Sequence, residues 1–210
     1  MKKTGMKMTA AAAAVLAIAG CAAMASDADY NKIVQDMLKN DFKDKGPATV
    51  ARVTNQDEAQ RLCSEYPMAE ERPKEISARI EAGEMKNIKL PADGQYLGNW
   101  QQGEKVAQSG HGMRWNDKPA TVNGGNCYAC HQMTKEEISF GNIGPSLYHY
   151  GKMRGQSEEI VKYTWGKIYN AQAYSACSNM PRFGHNGILT VAQIKDVMAL
   201  LLDPASPVNR

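Results

Sequence analysis

The sequence predicts an all-α protein, on three observations. Apolar residues recur at helical spacing in several segments, glycine and proline clusters separate those segments, and no strand-like alternation runs long enough to predict a sheet. With 210 residues the chain suffices for one domain, or for a small domain with an extension. An apolar content of 43% is that of ordinary globular proteins, so a packed core is expected.

Residues 1–25 are set apart from the fold as an export signal. Lys2, Lys3 and Lys7 form a positive start, Ala10 to Ala19 a short apolar run, and small residues follow. The run is about half the roughly twenty residues that span a bilayer. Two ends of the signal are open. Ala23-Met24-Ala25 fits a cleavage site before Ser26. Ile18-Ala19-Gly20-Cys21 resembles a bacterial lipobox, in which Cys21 carries a lipid anchor. The three lysines account for the whole formal charge of +3. The remainder is balanced and gives no electrostatic case for nucleic acid.

The helices follow in order. Tyr30, Ile33, Val34, Met37 and Leu38 make one helical stripe, ended by Gly46-Pro47. Thr54 is the expected cap of a second helix, with Ala59, Leu62, Cys63 and Tyr66 on one face. Pro73 suits the first turn of a third, with Ile76 and Ile80 inward and Gly83 as its stop. Helices this short need a surface to lie on, so residues 26–94 are expected to wrap the body as a helical extension. Trp100 to Ser109 reads as a helix and Gly110 to Asn126 as loop. Another helix is expected around Glu158 to Ala171. The last helix has the clearest signal: Thr190 caps it, Gln193 completes a capping box, and Val191, Ile194, Val197, Met198 and Leu201 form its stripe before Pro204.

Chemistry concentrates in Cys127-Tyr128-Ala129-Cys130-His131, the C-x-x-C-H attachment signature of c-type haem. On a tight turn leading into a helix, two sulfurs reach the two vinyl groups and the next residue lies under the iron. Cys127 and Cys130 are thus the thioether donors and His131 the proximal ligand. The motif occurs once, so one covalent haem c is expected. A redox-active dithiol beside an idle histidine is the bland alternative.

The sixth iron ligand decides what such a site does. Met180 is the candidate, in Asn179-Met180-Pro181-Arg182-Phe183-Gly184, where the proline stiffens a loop able to present a thioether. A methionine ligand raises the potential and closes the iron to small molecules, which suits electron transfer. His185 and His111 are the fallback ligands, and Cys177 is a remote one. Gly144-Pro145 is expected to set a carbonyl against the His131 ring N–H. Tyr148, Tyr163, Trp165, Tyr169 and Phe183 either line the haem or form plain core. Arg154 and Arg182 either face a propionate or are solvated.

The remaining cysteines bear on compartment. If Cys127 and Cys130 hold haem and Cys21 leaves or carries lipid, Cys63 and Cys177 remain. In an oxidising compartment these are expected to pair rather than stay free. The bond would tie the extension to the body, and by loop entropy contributes about 4–5 kcal/mol.

The order helix, C-x-x-C-H, Gly-Pro, helix, methionine loop and capped final helix resembles class I cytochrome c over roughly Gly98 to Asp203. The resemblance implies that fold around one haem over residues 95–210, with its first and last helices crossed. A narrower resemblance lies in Gly125 to Gln132, Gly144 to Leu147, Ile168 to Ala173 and Cys177 to Gly187. These segments are similar to the SoxX family, the monohaem subunits of SoxAX cytochromes. Asp203-Pro204 to Val208, Gln60 to Cys63 and Pro91 to Gly94 extend that similarity over most of the exported chain. It implies a periplasmic complex with a SoxA-type cytochrome, of the L-cysteine S-thiosulfotransferase kind. That complex joins thiosulfate oxidatively to a cysteine of the carrier SoxYZ and passes electrons to a downstream cytochrome c. Bond formation belongs to the partner, so no residue of this chain is expected to be catalytic. His131 and Met180 are the implied iron ligands. A free-standing periplasmic electron shuttle is the alternative, and a ligand-binding haem protein would need an open sixth position.

Overall fold

The computed structural model describes residues 27–210, so the export signal and both readings of Cys21 lie outside the described residues. Among those residues the protein is all-α: helices, short 3-10 turns and loops, with paired extended backbone confined to an isolated bridge between Lys45 and Ala48. The chain divides into two units, one ending at Phe42 and the other running from Lys43 to Arg210.

The first unit holds α1, Asp27–Asn40. The apolar stripe forms as the spacing predicts, and Tyr30, Ile33, Val34 and Met37 on it are exposed. An exposed Lys32–Asp36 pair one turn apart, at 2.6 Å, adds little at such exposure.

The second unit opens with α2, Ala51–Thr54, and α3, Glu58–Glu65. Thr54 ends the first of these rather than capping the second. Asp57 is the cap of α3, because its carboxylate accepts from Gln60 N at 2.8 Å while Gln60 Oε1 accepts from Asp57 N at 3.0 Å. That reciprocal box satisfies two backbone donors at once. Helix α4, Lys74–Lys86, starts just after Pro73, so the proline stands at the cap rather than in the first turn. It also runs past Gly83: nothing lies where a Cβ would point there, and a single glycine costs a helix only about 1 kcal/mol. Burial of Ile80 and Glu84 on one face carries the helix through. Ala59, Leu62 and Ile80 form a small core with Cys63, Ile76, Ala176 and Cys177 packed against it.

The main core is built by α5, Trp100–Gln108, α7, Glu158–Tyr169, and α8, Val191–Leu202. The short helix α6, Tyr150–Arg154, precedes α7 in the chain. Sequence periodicity does not find α6, which is one turn long and is anchored by Tyr150 Oη against Thr164 Oγ1 at 2.8 Å. The capping box of Thr190 and Gln193 on α8 is present as expected. Ile194, Val197, Met198 and Leu201 are buried, while Val191 remains exposed at the first turn. Each such buried aliphatic contributes about 1.5–3 kcal/mol.

Helices α5 and α8 pack at close quarters. A Cβ on Gly103 would fall 2.1 Å from Asp196 O, so only glycine lets the backbones meet. Asp196 Oδ1 accepts from Asn99 N at 2.8 Å, and Gly98 N donates to Lys195 O at 2.9 Å. Fully buried Trp165 on α7 donates from Nε1 to Lys89 O at 2.9 Å, which fastens the segment after α4 to the core. The C-terminal residues close the other side, with Ser206 Oγ donating to Leu200 O at 2.7 Å and Asn209 Nδ2 to Leu201 O at 3.0 Å.

Candidate functional site

Cys127-Tyr128-Ala129 forms a single 3-10 turn, entered through Asn126 in the left-handed region at φ 47°. Irregular backbone and bends follow it rather than the helix expected there. Tyr128 points into the main core at 6% exposure and anchors the turn, with Cys127 and Cys130 half-buried on either side. His131 N donates to Cys127 O at 2.9 Å, so the histidine is held directly against the turn.

The cysteine pair is open. Cys127 and Cys130 are both free thiols, although two other cysteines of the chain are bonded. Burial pushes the Cys127 thiol up to about 12, with the neighbouring Cys130 adding to the shift. A dithiol that works by exchange needs a lowered pKa instead. Among the described residues no three His, Cys, Asp or Glu side chains gather as a metal cage, so Cys127, Cys130 and His131 do not converge on one point.

His131 is oriented by the chain itself. Its Nδ1 lies 2.7 Å from Pro145 O, the contact expected of the Gly-Pro turn. A carbonyl only accepts, so Nδ1 is the donor, which in a neutral ring leaves the lone pair on Nε2. Gly144 N donates to Cys130 O at 2.9 Å, which pulls the turn against the motif. A Cβ on Gly144 would stand 2.2 Å from His131 Cε1, so the approach requires glycine.

The other histidines are engaged elsewhere. His111 Nδ1 meets Arg114 Nη2 at 2.8 Å in a surface cluster with Asp117. Arg114 and backbone N–H groups hold the Asp117 carboxyl well below the usual range. His149 Nε2 reaches Arg210 O at 2.5 Å, and His185 Nε2 lies 3.8 Å from Asp57 Oδ2. Met180 is half-buried and packs against the main core, its backbone N donating to Ser178 Oγ at 3.2 Å.

Of the aromatic candidates, Trp165, Tyr169 and Phe183 are core. Tyr148 stacks on His149 at 3.8 Å and Tyr163 meets Tyr174 edge-on at 5.0 Å. Arg154 lies over the Tyr150 ring, 5.9 Å from its centroid. Arg182 is neither solvated nor free to face a propionate. It is 4% exposed, with Nη1 on Glu84 Oε2 at 2.9 Å and Nη2 on Asp57 Oδ2 at 2.6 Å. Asn170 Nδ2 also donates to Glu84 Oε2, at 2.7 Å. Burial works against the Asp57 charge, yet the Gln60 N–H and the Arg182 guanidinium hold its carboxyl below the usual value.

Sequence reasoning missed Asp57 and Glu84. A signal was present for Glu84, which continues the inward series Ile76, Ile80 by one more step of four. Cys63 and Cys177 are bonded, joining α3 to the Met180 loop over 114 residues of sequence.

The donor set fits a covalent c-type haem: two free thiols on one turn, an imidazole with its lone pair at Nε2, and a thioether loop against the same core. No established family model matches the chain. Over 162 residues it is 38% identical to a protein named uncharacterized lipoprotein from Aquifex aeolicus (strain VF5), an alignment covering 74% of this chain and 73% of that protein. At that identity over that length, the chain belongs to the same family as the Aquifex lipoprotein.

Proposed function

We propose that this protein is an exported monohaem c-type cytochrome, the electron-accepting X subunit of a SoxAX-type complex that joins thiosulfate to a carrier-protein cysteine. The observation that carries the haem reading is the His131 ring, fixed by Pro145 O and closely backed by Gly144 beside two free thiols. Cys127 and Cys130 supply the thioether sulfurs, His131 Nε2 one iron ligand and the Met180 sulfur the other. When bound, the haem supplies a one-electron iron couple, held by a His/Met pair at a raised potential. The chain's own part is to orient the imidazole, hold the thioether and anchor the attachment turn through Tyr128. The close approach of α5 and α8 at Gly103 supports the class I cytochrome c reading of residues 95–210.

Joining thiosulfate to a thiol forms one S–S bond and releases a proton and two electrons. A SoxA-type partner makes the bond on SoxYZ, and this chain passes the electrons toward a downstream cytochrome c. The name of the Aquifex relative supports lipidation at Cys21, which tethers the exported protein to a membrane surface. Among the described residues no helix is long and apolar enough to cross a membrane.

The test follows haem absorption while thiosulfate is added, with the SoxA-type partner and carrier present and then absent. Reduction only when both are present is the expected result. A haem that dithionite reduces but thiosulfate never does would point to a free-standing shuttle. Mass spectrometry of the mature N-terminus decides between a lipidated Cys21 and a free Ser26.

A further inference from the structure

The loop that carries Met180 is gripped on both sides by α3, α4 and the residues around them. Upstream of Met180, Cys177 is bonded to Cys63 of α3, and Ala176 N donates to Glu81 Oε1 of α4 at 3.0 Å. Arg72 Nη1 donates to Ala176 O at 3.2 Å. Downstream, buried Arg182 is pinned between Glu84 of α4 at 2.9 Å and Asp57 at the cap of α3 at 2.6 Å. The segment between the clamps has no regular secondary structure to hold it. Cys177 itself has φ 58°, a left-handed conformation that L side chains rarely keep unless the surroundings impose it. A cleft of about 340 Å³ opens beside the bond, lined by Cys63 and Cys177 together with Gln60, Ser64, Gln172 and Asn179. The cleft brings solvent up to the two half-buried bonded residues.

We propose that α3 and α4 position the sixth iron ligand. Cys177 through Cys63, and Arg182 through Glu84 and Asp57, hold Met180 in its ligating position, and reduction of the disulfide releases it. The inference rests on the reading of Met180 as that ligand. Release is thiol–disulfide exchange with a dithiol: the S–S bond takes up two electrons and two protons, Cys63 and Cys177 become thiols, and the dithiol closes to its own disulfide. Freed of the bond, Cys177 leaves the left-handed region and carries the following three residues with it. Cys63, Cys177 and Arg182 are positioning residues, since none of them touches the iron.

The haem-loaded full chain tests this directly. Protein is treated with dithiothreitol, its thiols are alkylated, and the iron is reoxidised with ferricyanide. The readouts are the sulfur-to-iron charge-transfer band of the ferric form, carbon monoxide binding by the ferrous form, and far-ultraviolet circular dichroism. Loss of the band and gain of carbon monoxide binding, with helix signal unchanged, is the expected result. Arg182→Gln should lose part of the band with the disulfide intact, and Arg182→Lys should recover it. A band that persists once two alkylated cysteines are found by mass overturns the proposal. Untreated protein without the band would remove the assignment of Met180, and this proposal with it.

Discussion

At the scale of single residues, the proposed haem site depends on close approaches that a single methyl group would block. Gly144 is the sharpest case, because a methyl there would stand 2.5 Å from His131 Nδ1 as well as against Cε1. Gly144→Ala must therefore displace either the ring or the 144–145 backbone, and the Nδ1 bond to Pro145 O goes with it. Overpacking of this kind costs about 1–3 kcal/mol. The expected outcome is a lower melting temperature and less covalent haem per chain, read by haem staining of a denaturing gel. An unchanged melting temperature with full haem loading would count against the geometry. Arg182 makes a different point at this scale. Both of its carboxylate partners are fixed by other bonds, Asp57 to Gln60 N and Glu84 to Asn170, so the guanidinium is not buried unpaired.

At the scale of elements, local signals and tertiary contacts divide the work unevenly. The start of α8 is local: Thr190 and Gln193 cap each other within one turn, and the helix behind them is nearly all core. Thr190→Ala should lower stability by about 1 kcal/mol, the usual worth of such a cap, measured by urea unfolding. A change within error would mean that packing of the helix alone sets its first turn. The end of α4 was not legible in the same way. Gly83 reads as a stop because glycine weakens helices, but the decisive factor is the face that Ile80 and Glu84 bury against the body. The cap of α3 was misplaced for a related reason. Thr54 and Asp57 are both good capping residues, and the reciprocal bonds with Gln60 decide for Asp57. One-turn α6 has no periodicity to read, since its stability comes from Tyr150 meeting Thr164 and from the C-terminal residues beside it.

At the scale of the whole molecule, the Cys63–Cys177 bond closes a loop of 114 residues between α3 and the Met180 loop. Loop entropy assigns such a crosslink about 4–5 kcal/mol, less any native strain. The Cys63→Ser, Cys177→Ser double variant is expected to lose stability of that order in urea unfolding, while its helix content at low denaturant stays native. Acid should act on the same junction. Asp57 is held below its usual value of 3.8, so its pairing stabilises the fold fully above that pH and the contribution is lost as pH falls toward the folded pKa. Thermal unfolding followed from neutral pH into acid should show that loss. In Asp57→Asn the protein should start less stable at neutral pH and decline less steeply in acid; a parallel decline would remove Asp57 from the account.

What the sequence determined by itself was whatever depends on neighbours in the chain. The helical class, the capped final helix, the Cys127-x-x-Cys130-His131 turn and the Gly144-Pro145 carbonyl that meets His131 all follow from spacings of at most a few residues or one short loop. The count of cysteines, once the motif claimed two, left Cys63 and Cys177 as a pair. Only the tertiary structure decided which groups meet from far apart: Arg182 with acids 98 and 125 residues away, Gly103 against the backbone of Asp196, and Trp165 on Lys89 O. The reason is physical. Helix spacing and caps are set by backbone geometry within a turn, whereas a buried charge or a close helix crossing is stable only when distant segments arrive together to pair and pack it.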